Sequence, residues 1–225
     1  MRMRVALTLG IVGLFAASGW AADIAFIAGD PANLTAGEQA LIDDLQFLGH
    51  TVTLFDDNTD DPNYIAGCVN PAQSPPCDDY NFDLLIISST VGSNNIGGSY
   101  RLANIPIIFW ESGLLQACRE QLAEAGINMA DQTSIWILDN THPITLDLVN
   151  DPVQGYVLFT DPITIHVAVS EEGGDYPAVG QGVELLATDL TGAFSGTILA
   201  AEAGGTRVDG TPILARRVFL SFGDD

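Results

Sequence analysis

Residues 23–57 read DIAFIAGDPANLTAGEQALIDDLQFLGHTVTLFDD, and this stretch decides the fold. DIAFIAG (23–29) is a short apolar run with the character of a buried strand. LTAGEQALIDDLQFLG (34–49) has helical spacing and marked ends. Thr35 and Glu38 form a capping box, in which each side chain accepts a backbone N–H at the helix start. Ala40, Leu41, Leu45 and Leu48 supply the expected apolar face, and Gly49 is the natural stop. TVTLFDD (51–57) is a second strand. Strand, helix and strand in this order imply a right-handed parallel unit.

The pattern continues downstream. Residues 58–81 are a polar, proline-rich insertion. FDLLIISST (82–90) is a third, fully buried strand. The glycine-rich segment 91–104 reads as a loop leading into a short helix. IPIIFW (105–110) is a fourth strand, and GLLQACREQLAEAG (113–126) is expected to be its following helix. TSIWILD (133–139) is a fifth strand, with THPIT as a turn behind it. Beyond residue 150 the grammar changes to short alternating runs, GYVLF, ITIHVAV, GVELLAT, GTILAAEA and RRVFLSF, separated by turn residues. This half is β-rich and built of hairpins. No repeat or linker divides the chain, so residues 22–225 are expected to form a single α/β domain.

Upstream, Arg2 and Arg4 precede an uncharged run from Val5 to Ala17. Gly19 and Ala21 stand at the −3 and −1 positions of a cut after Ala21. The run is short for a membrane span. Residues 1–21 therefore read as a signal peptide, the mature chain as secreted or periplasmic, and no membrane span is expected after cleavage. Export makes disulfides available. Cys68 and Cys77 flank the proline-rich loop and are the expected pair; Cys118 is left over.

The chain carries 29 acids against 7 basic residues, a formal charge of −22, and every basic residue is arginine. Such a surface repels nucleic acid and anionic membranes, and it speaks to solubility rather than to fold.

The order AFIAGD, LTAGEQALIDDLQFLGHTV, LLIISSTV, IPIIFWE, THPIT and ARRVFLSFGD resembles the trehalose-utilisation (ThuA-like) branch of the class I glutamine amidotransferase-like superfamily, in an exported form. The resemblance covers nearly all of the mature chain except 58–81. It implies a flavodoxin-like three-layer α/β/α core with a mainly parallel sheet. It also implies one further helix beyond the GD turn, which this sequence, stopping at Asp225, does not supply.

Active amidotransferases of this superfamily place Gly-x-Cys-x-Gly at the strand-to-helix elbow. Here the elbow reads Phe109-Trp110-Glu111-Ser112-Gly113. Gly113 matches the second glycine, and Glu111 stands where the cysteine would be. A carboxylate cannot carry out thiolate acyl transfer, so glutaminase activity is not expected. Ser112 would need a histidine base. His142 in THPIT is the best placed of the three histidines; His50 marks a surface turn and His166 lies mid-strand with its facing open. Glu111 has two readings: a general acid/base, or a cap on the next helix favoured by its N-terminus.

Other acids end parallel strands on the same edge. Asp30, Asp56 and Asp57, with Ser89 and Thr90 on the rim, form a candidate ligand site at the edge where open α/β sheets bind ligands. Asp56, Asp57, Asp60 and Asp61 offer oxygen donors of the kind calcium takes, but DDNTDDP lacks the EF-hand glycine and distal glutamate. No cofactor is expected. Three functions fit the pattern. The first is a non-catalytic exported module binding a carbohydrate or cell-envelope component. The second is a ThuA-like enzyme acting on sugar derivatives through Glu111 and His142. The third is a structural or surface-assembly subunit.

Overall fold

The computed structural model describes residues 21–58, 82–159, 161–170, 176–190 and 195–221. Residues 1–20 of the expected signal peptide, all of the insertion beyond residue 58 and the Cys68–Cys77 pair lie outside the described residues. The protein is mixed α/β, with a partly parallel sheet and a largely antiparallel C-terminal part.

The opening unit forms as its sequence dictates. Strand β1 (Asp23–Ala28) leads to helix α1 (Ala36–Phe47) and strand β2 (Thr51–Asp56). The capping box is complete: Glu38 N–H donates to Thr35 Oγ1 (3.2 Å) and Thr35 N–H to Glu38 Oε2 (2.8 Å). Gly49 ends the helix with φ at 94°, a conformation that suits glycine. The buried face differs from expectation. Leu41, Ile42 and Leu45 face the sheet, whereas Ala40 and Leu48 are exposed.

β1 pairs in parallel with β2 on one side and with β3 (Leu84–Ile87) on the other. A one-turn helix α2 (Ser93–Ile96) precedes β4 (Ile107–Phe109), which pairs in parallel with β3. A short 3-10 turn (Ser112–Leu115) follows. The remaining strands are β5 (Ala125–Gln132), β6 (Ser134–Ile137), β7 (Tyr156–Val157), β8 (Ile163–Val169), β9 (Val183–Asp189), β10 (Gly196–Ala201) and β11 (Arg217–Leu220). The sheet order is β2-β1-β3-β4-β11-β10-β9-β6-β7, with β8 pairing β10 and β5 pairing β8 off this path. β11 is the seam. It runs parallel to β4 and antiparallel to β10. Residues alternate between two cores, Ile27, Ile87 and Phe109 on one face and Phe26, Ile86 and Ile108 on the other. Strands buried on both faces explain the continuous apolar runs.

The helix expected over 113–126 does not form. Cys118 and Gln121 adopt φ of 65° and 45°, and Gln121 N–H closes the loop on Leu114 O (3.0 Å). Leu114, Leu115, Leu122 and Ala123 are still fully buried, but by a folded-back turn. Within this segment Glu120, instead of facing solvent as on a surface helix, is drawn into the interior between two buried arginines. Its Oε2 lies 3.0 Å from Arg207 Nη2 and 3.2 Å from Arg217 Nε. Arg207 also donates to the carbonyls of Glu120, Pro212 and Arg101. Arg217 donates to those of Tyr100, Ala103, Ile105, Ala215 and Arg216. Burial holds Arg217 below the ordinary arginine pKa, with Glu120 opposing that shift and Arg207 adding to it.

Removing one member of a buried charge cluster leaves the others uncompensated. Glu120→Ala is expected to cost about 3–5 kcal/mol in a urea titration. Replacing Glu120, Arg207 and Arg217 together by apolar residues is not expected to restore stability, because the carbonyls around the guanidinium groups lose their donors.

A second ion pair joins Arg101 to Asp209. Burial pushes the Asp209 carboxyl up, but Thr211 N–H and the Arg101 guanidinium outweigh it and bring the pKa down to about 2. The stabilisation is present above the ordinary value of 3.8 and lost as pH falls through about 2. Asp209→Asn is therefore expected to lower stability at neutral pH by less than about 1 kcal/mol, the pair being partly exposed. The difference from the parent should close as acid unfolding is followed downward in pH.

Candidate functional site

The carboxyl edge of the parallel strands carries two polar groupings. The first is an open cleft of about 370 Å³, lined by Gly29, Asp30, Asn33, Glu38, Asp57, Asn58, Thr90, Gly92 and Asn95. β1 delivers Asp30, β2 delivers Asp57 and β3 delivers Thr90, so these expected ligand residues do converge. Asp56 turns aside, its Oδ1 accepting from Asn58 N–H (2.7 Å). Ser89 is buried behind Thr90 and does not form the wall.

The cleft is held by hydrogen bonds between strand ends. Thr90 Oγ1 accepts from Gly29 N–H (3.0 Å) and donates to Glu38 Oε1 (2.7 Å). Glu38 thus caps α1 with one oxygen and ties the end of β3 with the other. Asp57, almost fully buried, accepts from Gly92 N–H and from the amides of Asn58 and Asn95. This carboxylate anchors the glycine-rich loop. Asp30 is exposed, and the Asn33 amide, followed by Ala32 N–H, holds its carboxyl below the usual carboxylate range. Of the three wall carboxylates, Asp30 is the exposed one, so it is the acceptor best placed to meet a ligand.

The second grouping is the elbow after β4. Glu111 caps the 3-10 turn, its Oε1 accepting from Gly113 N–H (2.8 Å). Ser112 N–H donates to His166 Nδ1 (2.9 Å), and Ser112 Oγ bonds Asn128 Oδ1 (2.9 Å). Glu111 Oε2 approaches the same His166 nitrogen at 3.6 Å. His166 is opposite Asn128 in the β5–β8 ribbon. That ribbon lies directly on the elbow: a Cβ on Gly126 would overlap the carbonyl of Ser112. Arg119 clamps the turn from the other side, donating to Gly113 O (2.6 Å) and Ser93 Oγ (2.8 Å).

The structure does not bring His142 to the elbow. Its Nδ1 accepts from Ile144 N–H (3.2 Å), within a turn where Asp139 accepts from Thr141 N–H and the Thr141 hydroxyl. Those Thr141 bonds hold the Asp139 carboxyl below its ordinary range. The ring at the elbow is that of His166, which the alternation of ITIHVAV left with either facing. Ser112 directs its hydroxyl proton at Asn128, and its backbone N–H rather than its hydroxyl meets His166 Nδ1, which is not the arrangement of a serine nucleophile on its base. Among the described residues, no group of three or more His, Cys, Asp or Glu is placed to hold a metal ion.

No family model matches this chain. No curated protein and no solved structure matches it either.

The close seating of ribbon on elbow has a direct test. Gly126→Ala is expected to cost about 1–3 kcal/mol, since the added methyl group must push backbone apart. Chemical denaturation reads the loss, and a stability equal to that of the parent would mean the ribbon stands clear of the turn.

Proposed function

We propose that this chain is an exported, non-catalytic module of the ThuA-like, flavodoxin-like kind, binding a carbohydrate or another polyhydroxylated envelope component in its carboxyl-edge cleft. The observation that carries this reading is the division of labour along one sheet edge. At the elbow, Glu111, Ser112 and His166 are engaged with one another and with turn and ribbon. At the cleft, the exposed Asp30 carboxylate borders open space, while Glu38 and Asp57 are buried in the wall. Carboxylate acceptors beside amide groups suit ligands with several hydroxyl donors. The volume lies at the low end of the range for small-ligand sites, which favours a short saccharide segment over a long chain.

One observation favours the enzyme reading: Glu111 Oε2 lies 3.6 Å from His166 Nδ1, longer than a hydrogen bond but close enough to couple a carboxylate to an imidazole. The two readings separate in one experiment. Calorimetry of the mature chain against a panel of oligosaccharides should detect binding, and Asp30→Asn should weaken it about tenfold, the equivalent of one charge-assisted hydrogen bond. No binding across the panel, together with a sugar-derivative hydrolysis that Glu111→Gln abolishes, would replace the binding module with the enzyme.

A further inference from the structure

The elbow contains one nitrogen with two competing partners. His166 Nδ1 accepts from Ser112 N–H at 2.9 Å and lies 3.6 Å from Glu111 Oε2. An imidazole nitrogen accepts only when unprotonated, so the bond to Ser112 requires a neutral ring with its proton on Nε2. Protonation turns Nδ1 into a donor. It then opposes the Ser112 N–H, donor against donor, and is drawn to the Glu111 carboxylate. The two states cannot coexist on one atom.

We infer that His166 is a pH-operated latch between the 112–115 turn and the β5–β8 ribbon: closed on the Ser112 backbone when neutral, transferred to Glu111 when protonated. The surroundings suit this role. The backbone of His166 is fixed independently of its ring, because Ser221 Oγ donates to its carbonyl. The ring is almost fully buried, so exchanging one partner for another is not masked by water. The charged groups on neighbouring elements are few among the described residues. Glu111 caps the turn, and Arg119 grips the far side of it through Gly113 O. On β5, Asn128 is uncharged and the exposed Asp131 sits at the bulge toward Ile163. Just past β11, the uncharged Ser221 meets the His166 backbone.

Opening the latch frees the Ser112 N–H and loosens the turn from the ribbon that covers it. This mechanism is independent of what the cleft binds. It predicts that exposure of the elbow rises as the medium acidifies, in the range where histidine titrates.

The test is NMR of the mature chain from about pH 8 to about pH 5, with imidazole nitrogens and amide exchange followed together. At the upper end, His166 should show an unprotonated Nδ1. As the ring protonates, protection of the Ser112 amide, normalised to its intrinsic exchange rate, should fall about tenfold, as for loss of one buried hydrogen bond. His166→Asn offers an acceptor near the Nδ1 position that cannot protonate, and its Ser112 protection should stay constant. Glu111→Gln keeps an acceptor for Gly113 N–H without the charge, and should move the transition to lower pH. If His166→Asn does not fold, the parent and Glu111→Gln decide the matter. A proton on Nδ1 at neutral pH overturns the latch. So does a ring that titrates while Ser112 protection stays flat, or one that stays neutral until the protein unfolds.

Discussion

Glu120 between Arg207 and Arg217 is the interaction on which the rest of the structure depends. The three side chains are buried and join segments from distant parts of the sequence. Burying a carboxylate and two guanidinium groups is unfavourable unless each is paired and bonded. Here the carbonyls of the 100–105 loop, of Glu120 itself and of the 212–216 approach to β11 serve as acceptors. Those loops therefore have one arrangement that satisfies the charges. The cluster sets where β4 begins, where β11 enters the sheet and where the chain after the elbow must turn.

That constraint explains why part of the fold could be read from the sequence and part could not. The β1–α1–β2 unit is specified locally, by the Thr35–Glu38 box, Gly49 and two apolar runs, and it forms as those residues indicate. The strands beyond residue 150 follow from alternation alone. Residues 113–126 have equally good local credentials for a helix, yet no local rule records that Glu120 has a partner almost a hundred residues away. A charged residue on an apparently amphipathic face is ordinarily solvated, so its burial was illegible. The arginines of TRVDG and ARRVF carried no mark of burial either. The total absence of lysine was visible, but not that Arg207 and Arg217 are buried while Arg216 pairs with Glu202 at the surface.

The same distinction divides the sites. Asp30, Asp57 and Thr90 converge because the ends of parallel strands share an edge, a consequence of topology that sequence can supply. Glu38 was legible as a cap but not as a partner of Thr90. His166 was the harder case. Its facing depends on how β8 lies over the elbow, and only the lack of a side chain at Gly126 hints that another element passes close by. His142, attractive for following a sheet strand, is occupied within its own turn.

The position of β11 carries a consequence for biosynthesis. It fills the middle of the sheet, yet it emerges from the ribosome after every other described strand. β4 is complete at Phe109, while its neighbour begins at Arg217. At ordinary elongation rates that interval is on the order of ten seconds, during which the growing chain has an open parallel edge and an unpaired Glu120. The N-terminal half therefore has little reason to lock early. Closure of the central sheet therefore waits for the strand synthesised last among those described.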